Sequence, residues 1–268
     1  MIKLAYPIGA PDIVDPFMGF HGDFADNLKF ISETGYDAVE LFLCSVESIP
    51  PDFREVLSSL NLEVACIGTT FPGKYEGLYL SSSDRIIRKA AVDRLKSFTV
   101  FAGEVGCPRI SIGKMRGSSS DNPEAMDNLI SSVQELCVFA KNLGVSFMIE
   151  PQNKKQLDYI NTVGEGAEFL EKAGSSNLLL HLDTFHMELT EDNPSDSIRK
   201  YSDLVGFYHI AGPERRIPVM SDITFIDMLH EISVSTPDCY LSPEIKQIPD
   251  SRTVCRKFND FMKSLKMD

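Results

Sequence analysis

Leu178-Leu-Leu-His-Leu-Asp183-Thr-Phe-His186-Met187 is a short apolar run that stops at an acid, with a histidine three residues beyond. A run of this length bounded by polar residues has the form of a strand buried on both faces, as in parallel sheets. Its acid then falls at the strand's C-terminal end, the edge where parallel α/β folds carry their chemistry. Three further segments stop in the same way: Phe147-Met-Ile-Glu150, Val205-Gly-Phe-Tyr-His209 and Tyr240-Leu-Ser-Pro-Glu244. Four strand ends thus present Glu, Asp, His and Glu.

Working outward, strand-like runs alternate with amphipathic stretches along the whole chain. The strands fall at 2–8, 38–42, 64–69, 109–114, 147–150, 178–183, 205–209 and 240–244. Helical periodicity lies near 23–35, 52–60, 84–105, 122–143, 163–173, 196–202, 222–233 and 251–265. Strands that each precede a helix in this way predict a (β/α)8 TIM barrel, as a single domain over residues 1–268. A doubly wound sheet would carry a glycine-rich phosphate loop after its first strand, and Gly9-Ala-Pro-Asp12 lacks that pattern. The intervals Glu150–Asp183, Asp183–His209 and His209–Glu244 each approximate one strand–helix unit of roughly 30 residues. In a closed barrel, ends of consecutive strands converge.

Hydrophobic residues make up 43% of the 268-residue chain, ample for one large core. No stretch approaches the ~20 apolar residues of a membrane span. The N-terminus enters a strand-like run directly, with no basic region or cleavage site, so no signal peptide is expected. The six cysteines form no Cys-x-x-Cys pair and several lie in apolar segments. They read as reduced core thiols of a cytoplasmic protein. The net charge of −13 and the lack of a basic stripe argue against a nucleic-acid partner.

Strand alternation tests which side chains face the barrel axis. Asp183 shares parity with Leu179 and His181, while Leu178, Leu180 and Leu182 face the helices. The same count turns Glu150, His209 and Glu244 inward. Three carboxylates brought together repel one another unless a cation neutralises them. Three carboxylates and one imidazole suit Mn²⁺, Mg²⁺ or Co²⁺, and Zn²⁺ also accepts both donor types.

At Met148-Ile-Glu150-Pro, Leu182-Asp-Thr-Phe-His186-Met, Tyr208-His209 and Pro243-Glu244 the chain resembles the xylose-isomerase-like sugar isomerase/epimerase barrels, in particular the ketose 3-epimerases. The resemblance covers essentially the full length. It implies one divalent metal on Glu150, Asp183, His209 and Glu244, with Mn²⁺ the first expectation. It also implies that Glu150 and Glu244 act as an acid/base pair, moving a proton next to a carbonyl through an enediolate. The expected partner is a small sugar or sugar phosphate. Several family members are dimers or tetramers, so a homodimer or homotetramer is the corresponding expectation.

The resemblance further implies substrate roles for His186 and for Arg215, the latter in the loop after His209. Lys114 and Arg116, at the end of the fourth strand, are candidates for contacting an anionic or hydroxyl-rich ligand, against simple loop solvation. His181 reads as a core histidine or a partner of a ligand, and Glu40 as a buried structural acid or a distant substrate contact. One departure concerns the substrate. Ketose 3-epimerases follow the first glutamate with Asn-Arg-aromatic-Glu, and the last acid touches the sugar. Here Asn153-Lys154-Lys155-Gln156 puts an amide at that substrate-binding position.

Alternatives on the same barrel are a lyase or dehydratase, a subunit cleaving carbon–glycosyl bonds, and a non-catalytic sugar-binding barrel. A trinuclear zinc endonuclease would need histidines at the ends of strands three and four. Those ends read Ile67-Gly-Thr-Thr70 and Ile112-Gly-Lys-Met115.

Overall fold

The structure is a computed structural model that describes residues 2–120 and 122–265. The parallel strands β1 (Lys3–Gly9), β2 (Ala38–Phe42), β3 (Glu63–Gly68), β4 (Arg109–Ile112), β5 (Ser146–Ile149), β6 (Leu178–Asp183), β7 (Val205–Ile210) and β8 (Tyr240–Pro243) close into a barrel in sequence order. The expected (β/α)8 TIM barrel is thereby present. Around it lie α1 (Phe24–Thr34), α2 (Phe53–Leu60), α3 (Thr70–Glu76), α4 (Arg85–Val105), α5 (Ala125–Ala140), α6 (Val163–Ala173), α7 (Thr184–Thr190), α8 (Pro194–Tyr201), α9 (Ile223–Ser235) and α10 (Ser251–Ser264). None of the described helices is long and apolar enough to cross a membrane.

The alternation in each strand separates two apolar regions. Phe147, Ile149, Leu178, Leu180 and Leu182 pack outward into the large core under the helices. Ala5, Ala38, Cys66, Met148 and Phe207 fill the barrel interior, with Leu179 and Tyr240 against them. Each fully buried large side chain contributes about 1.5–3 kcal/mol. All six cysteines are buried and unpaired, as expected. This small-residue interior fills the lower part of the barrel and leaves the upper layer to polar side chains.

Helix ends follow local chemistry. Thr162 and Glu165 form a reciprocal capping box on α6, and Asn193 caps α8 with Pro194 as its first residue. The strand expected at 109–114 stops at Ile112, because Gly113 leaves extended geometry (φ −94°, ψ −109°) and Lys114–Arg116 form a 3-10 turn. Two short helices not apparent from periodicity, α3 and α7, sit on the C-terminal face. Asp183 starts α7, its Oδ1 accepting from the Phe185 amide at 2.9 Å. That helix carries His186.

Candidate metal centre

Four polar side chains converge at the C-terminal mouth. Register places Asp183 beside His209, and His209 beside Ser242 on β8. Glu150 and Glu244 follow the last residues of β5 and β8, their amides donating to Ile112 and Ile210 of the neighbouring strands. One ligand atom from each of Glu150, Asp183, His209 and Glu244 lies within 4.8 Å of the other three. His209 Nδ1 is 3.7 Å from Glu150 Oε1, 3.8 Å from Asp183 Oδ2 and 3.5 Å from Glu244 Oε2. The first two separations exceed hydrogen-bond reach, and they match the spacing of donors that share one ion at about 2.0–2.2 Å each.

Glu150 Oε1 and His209 Nδ1 are buried and have no hydrogen-bond partner. Leaving a buried polar atom unpaired costs about 1–3 kcal/mol, more for a charged group. The donor set and its two orphaned atoms fit a divalent ion. His209 is aimed by Glu40, whose carboxylate oxygens lie 2.9 and 3.0 Å from Nε2. Ser242 Oγ in turn donates to Glu40 at 2.7 Å. A carboxylate on the far nitrogen fixes the tautomer of a ligating imidazole and leaves Nδ1 for the ion. Glu40 is a buried acid, as expected, with His209 as its partner, and it also lines the cavity at the mouth. Its removal defines a prediction: Glu40→Gln lowers metal affinity by about 10–100-fold, read by calorimetric titration.

The cluster also holds a built-in cation. Arg215 Nη1 lies 2.6 Å from Asp183 Oδ2 and 2.7 Å from Glu244 Oε2. Its ring-stacked guanidinium sits 4.3 Å from the Phe185 ring centroid. Glu214 and Arg215 both have positive φ (56° and 60°), an uncommon backbone for residues with a Cβ. Such strain persists only where surrounding contacts hold it, here the ion pairs and the Lys246 amide bonded to the Arg215 carbonyl at 2.8 Å. His186, also buried, lies 3.1 Å from Arg215 Nη2 through Nε2 and 2.8 Å from the Asn153 amide through Nδ1.

Protonation within the cluster is divided. Burial disfavours the charged form of Glu150, but His209, His181 and His186 outweigh it and hold this carboxyl well below the usual range. Asp183 is likewise lowered, to about 2, burial being outweighed by Arg215, His186 and His209. Glu244 is pushed up to about 8, by burial against the pull of Arg215 and His209, with Asp183 and Glu150 adding to the rise. Burial works to lower His209, yet Glu40, Glu244 and Glu150 raise it well above the usual imidazole value. His181 is lowered to about 4 by burial and by His209. An entering ion must displace the protons on His209 Nδ1 and Glu244. Metal binding is therefore expected to release protons and to tighten as pH rises toward about 8, where Glu244 ionises unaided. Calorimetry in buffers of different ionisation enthalpy reads this directly.

A cavity of about 260 Å³ opens above the cluster. Glu150, Gln152, His209, Glu244 and Ser111 line one side, and Phe17, Met18, Phe42 and Phe71 the other. Lys114 lines it as well. Arg116 and Gln156, and equally His186 and Arg215, are not among its lining residues. Arg116 is fully buried beneath the site, donating to the carbonyls of Glu150 and Ile160. Gln156 is exposed on the loop, and Gln152 instead lies beside Glu150, its Nε2 donating to Glu150 Oε2. A Cβ on Gly113 would lie 2.9 Å from Glu150 Oε2 and 3.2 Å from Gln152 Nε2, so a side chain there would displace one or both. The ends of β3 and β4 contribute Gly68, Thr69, Gly113 and Lys114, with no ligating histidine.

Fold and cluster define a TIM barrel whose C-terminal mouth carries a candidate mononuclear centre of carboxylates and histidine. The chain belongs to the xylose isomerase-like TIM barrel family, whose model matches residues 28–263. It is 27% identical over 236 residues to the L-ribulose 3-epimerase of Methylomonas sp. (strain DH-1), covering 84% of this chain and 80% of that protein. It is 31% identical over 220 residues to the D-psicose 3-epimerase of Ruminiclostridium cellulolyticum, covering 78% and 73%. Among solved structures, a D-allulose 3-epimerase from Methylomonas sp. superposes with a TM-score of 0.80 at 20% identity, over 98% of each chain.

Proposed function

We propose that this protein is a divalent-metal-dependent sugar epimerase of the ketose 3-epimerase type. The observation that carries the reading is the pair Glu150 and Glu244. They follow the last residues of β5 and β8, and both line one monosaccharide-sized cavity. Two carboxyl groups facing the same space, one to take a proton and the other to return one, are what removal of a proton from one face and return to the other require. Glu150, Asp183, His209 and Glu244 would hold the ion, and their donor set suits Mn²⁺, Mg²⁺ or Co²⁺ and also admits Zn²⁺. Bound there, the ion supplies electrostatic stabilisation of enediolate charge next to the carbonyl carbon.

The remaining residues orient and enclose. His186 and Arg215 brace each other, with Arg215 holding Asp183 and Glu244, and Lys114 reaches the cavity from the β4 loop. Phe17, Phe42 and Phe71 face the ligand cluster and exclude water from the reacting carbon. Gln152, held against Glu150, takes the polar position that Gln156 leaves vacant. The deciding experiment is proton exchange in D₂O, with pooled ketoses, aldoses and their phosphates and Mn²⁺-loaded protein. Metal-dependent deuterium incorporation beside a carbonyl, with appearance of the epimer, supports the reading. Tight metal binding without exchange in any sugar overturns it in favour of carbon–glycosyl cleavage or a non-catalytic barrel.

A further inference from the structure

We propose that the barrel offers a cation a second, inner position, one layer below the four-residue cluster, formed by Glu150, His181 and His209. The proposal concerns ion binding alone and does not rest on the reaction proposed above. One ligand atom from each of these three residues lies within 4.8 Å of the other two. Glu150 Oε1, His181 Nε2 and His209 Nδ1 are all buried and all lack a hydrogen-bond partner.

The other nitrogen of each ring is already anchored. His181 Nδ1 lies 2.7 Å from Ser111 Oγ, and His209 Nε2 lies 2.9 Å from Glu40 Oε1. Both imidazoles thus have the arrangement of metal-ligating histidines, an oxygen partner on one nitrogen and a free second nitrogen. The two rings stand at 72° with centroids 4.1 Å apart, so neither stacks over the other's free nitrogen.

The outer carboxylates differ. Asp183 Oδ2 and Glu244 Oε2 are engaged by Arg215. With Arg215 in place, the unsatisfied donors are those of the inner set. Glu150 and His209 belong to both sets, so the two positions exclude each other. The outer set offers three oxygens and one nitrogen, the inner one oxygen and two nitrogens. Hard ions such as Mn²⁺ and Mg²⁺ favour the first, whereas borderline Zn²⁺ and Co²⁺ favour the second. His181 does not line the cavity, whereas Glu150 and His209 do, so the inner position lies at the cavity's floor.

The test is metal binding by the whole chain, with Zn²⁺, Co²⁺ and Mn²⁺ as probes. Wild type is compared with His181→Gln, His181→Leu and the double variant Asp183→Asn/Glu244→Gln. Calorimetric titration is expected to show Zn²⁺ affinity reduced at least about ten-fold in both His181 variants, with Mn²⁺ affinity within about two-fold of wild type. The Co²⁺ protein should show the intense visible bands of a low-coordinate, nitrogen-rich site, and these should vanish with His181. The double variant should reverse the pattern, losing Mn²⁺ and keeping Zn²⁺. Unchanged Zn²⁺ affinity and Co²⁺ spectra in the His181 variants would overturn the inner position, as would equal losses of Zn²⁺ and Mn²⁺. Should neither His181 variant fold, the double variant decides: retained Zn²⁺ supports the position and lost Zn²⁺ overturns it. Mn²⁺-dependent proton exchange is scored separately, so either conclusion can fail without the other.

Discussion

Glu150→Gln is expected to lower epimerisation on the order of 10²–10⁴-fold, the usual contribution of a positioned acid or base. Glutamine keeps a carbonyl oxygen for the ion but cannot accept a proton at neutral pH. The loss should therefore persist at saturating metal, which separates it from weakened ion binding. Glu244→Gln should be equally deficient in epimerisation and different in one respect. With Glu150 still able to remove a proton, the epimer whose C–H faces it should exchange with D₂O without inverting. In Glu150→Gln the reciprocal exchange, through Glu244, should appear only for the opposite epimer. NMR of each pure epimer in D₂O, with metal content measured on the same samples, reads all four combinations. Exchange at wild-type rates in Glu150→Gln of the epimer whose C–H faces Glu150 would remove this residue from the reaction.

Much of this arrangement is legible in the chain. Alternation within Leu178–Asp183 and Phe147–Glu150 correctly divides the side chains between the helices and the barrel interior, because a closed parallel barrel imposes a strict two-residue period. The convergence of Glu150, Asp183, His209 and Glu244 follows from the same period and from consecutive strands being neighbours. Contacts without a period were not legible. Glu40 meets His209 across 169 residues, and only barrel closure brings β2 opposite β7. Arg116 and Lys114 are two residues apart in one loop, yet a 3-10 turn sends one into the core and the other to the cavity. Gln156 was matched by its place in a motif, and the loop after Glu150 exposes it while burying Gln152. The lone signal available for Glu40 was its charge inside an otherwise apolar strand, a position that demands a buried partner.

Arg116 carries the largest expected effect on stability. Its guanidinium is fully buried, donates to the Glu150 carbonyl and donates to the Ile160 carbonyl at 3.1 Å. Burial lowers its pKa to about 10, which still leaves it charged at neutral pH. Hydrogen bonds from charged donors contribute about 1.5–3 kcal/mol each, and Arg116→Ala would take the side-chain donor from the Glu150 carbonyl beside a new cavity, the Ile160 carbonyl keeping the Gln152 amide at 3.2 Å. A destabilisation of about 3–5 kcal/mol is expected in denaturant titration. Arg116→Met should cost less, because it fills the space and removes the charge whose burial is itself unfavourable. Ile160, held at a positive φ of 55°, would lose one of the two donors to its carbonyl. The Glu150 backbone would lose its anchor in the same step, so kcat should fall at temperatures where the variant remains folded. A substrate-contacting arginine would give the opposite pattern, a raised KM with stability unchanged. Stability and the KM-against-kcat split, measured on the Met variant, therefore tell a buried support for the reactive acid from a ligand contact.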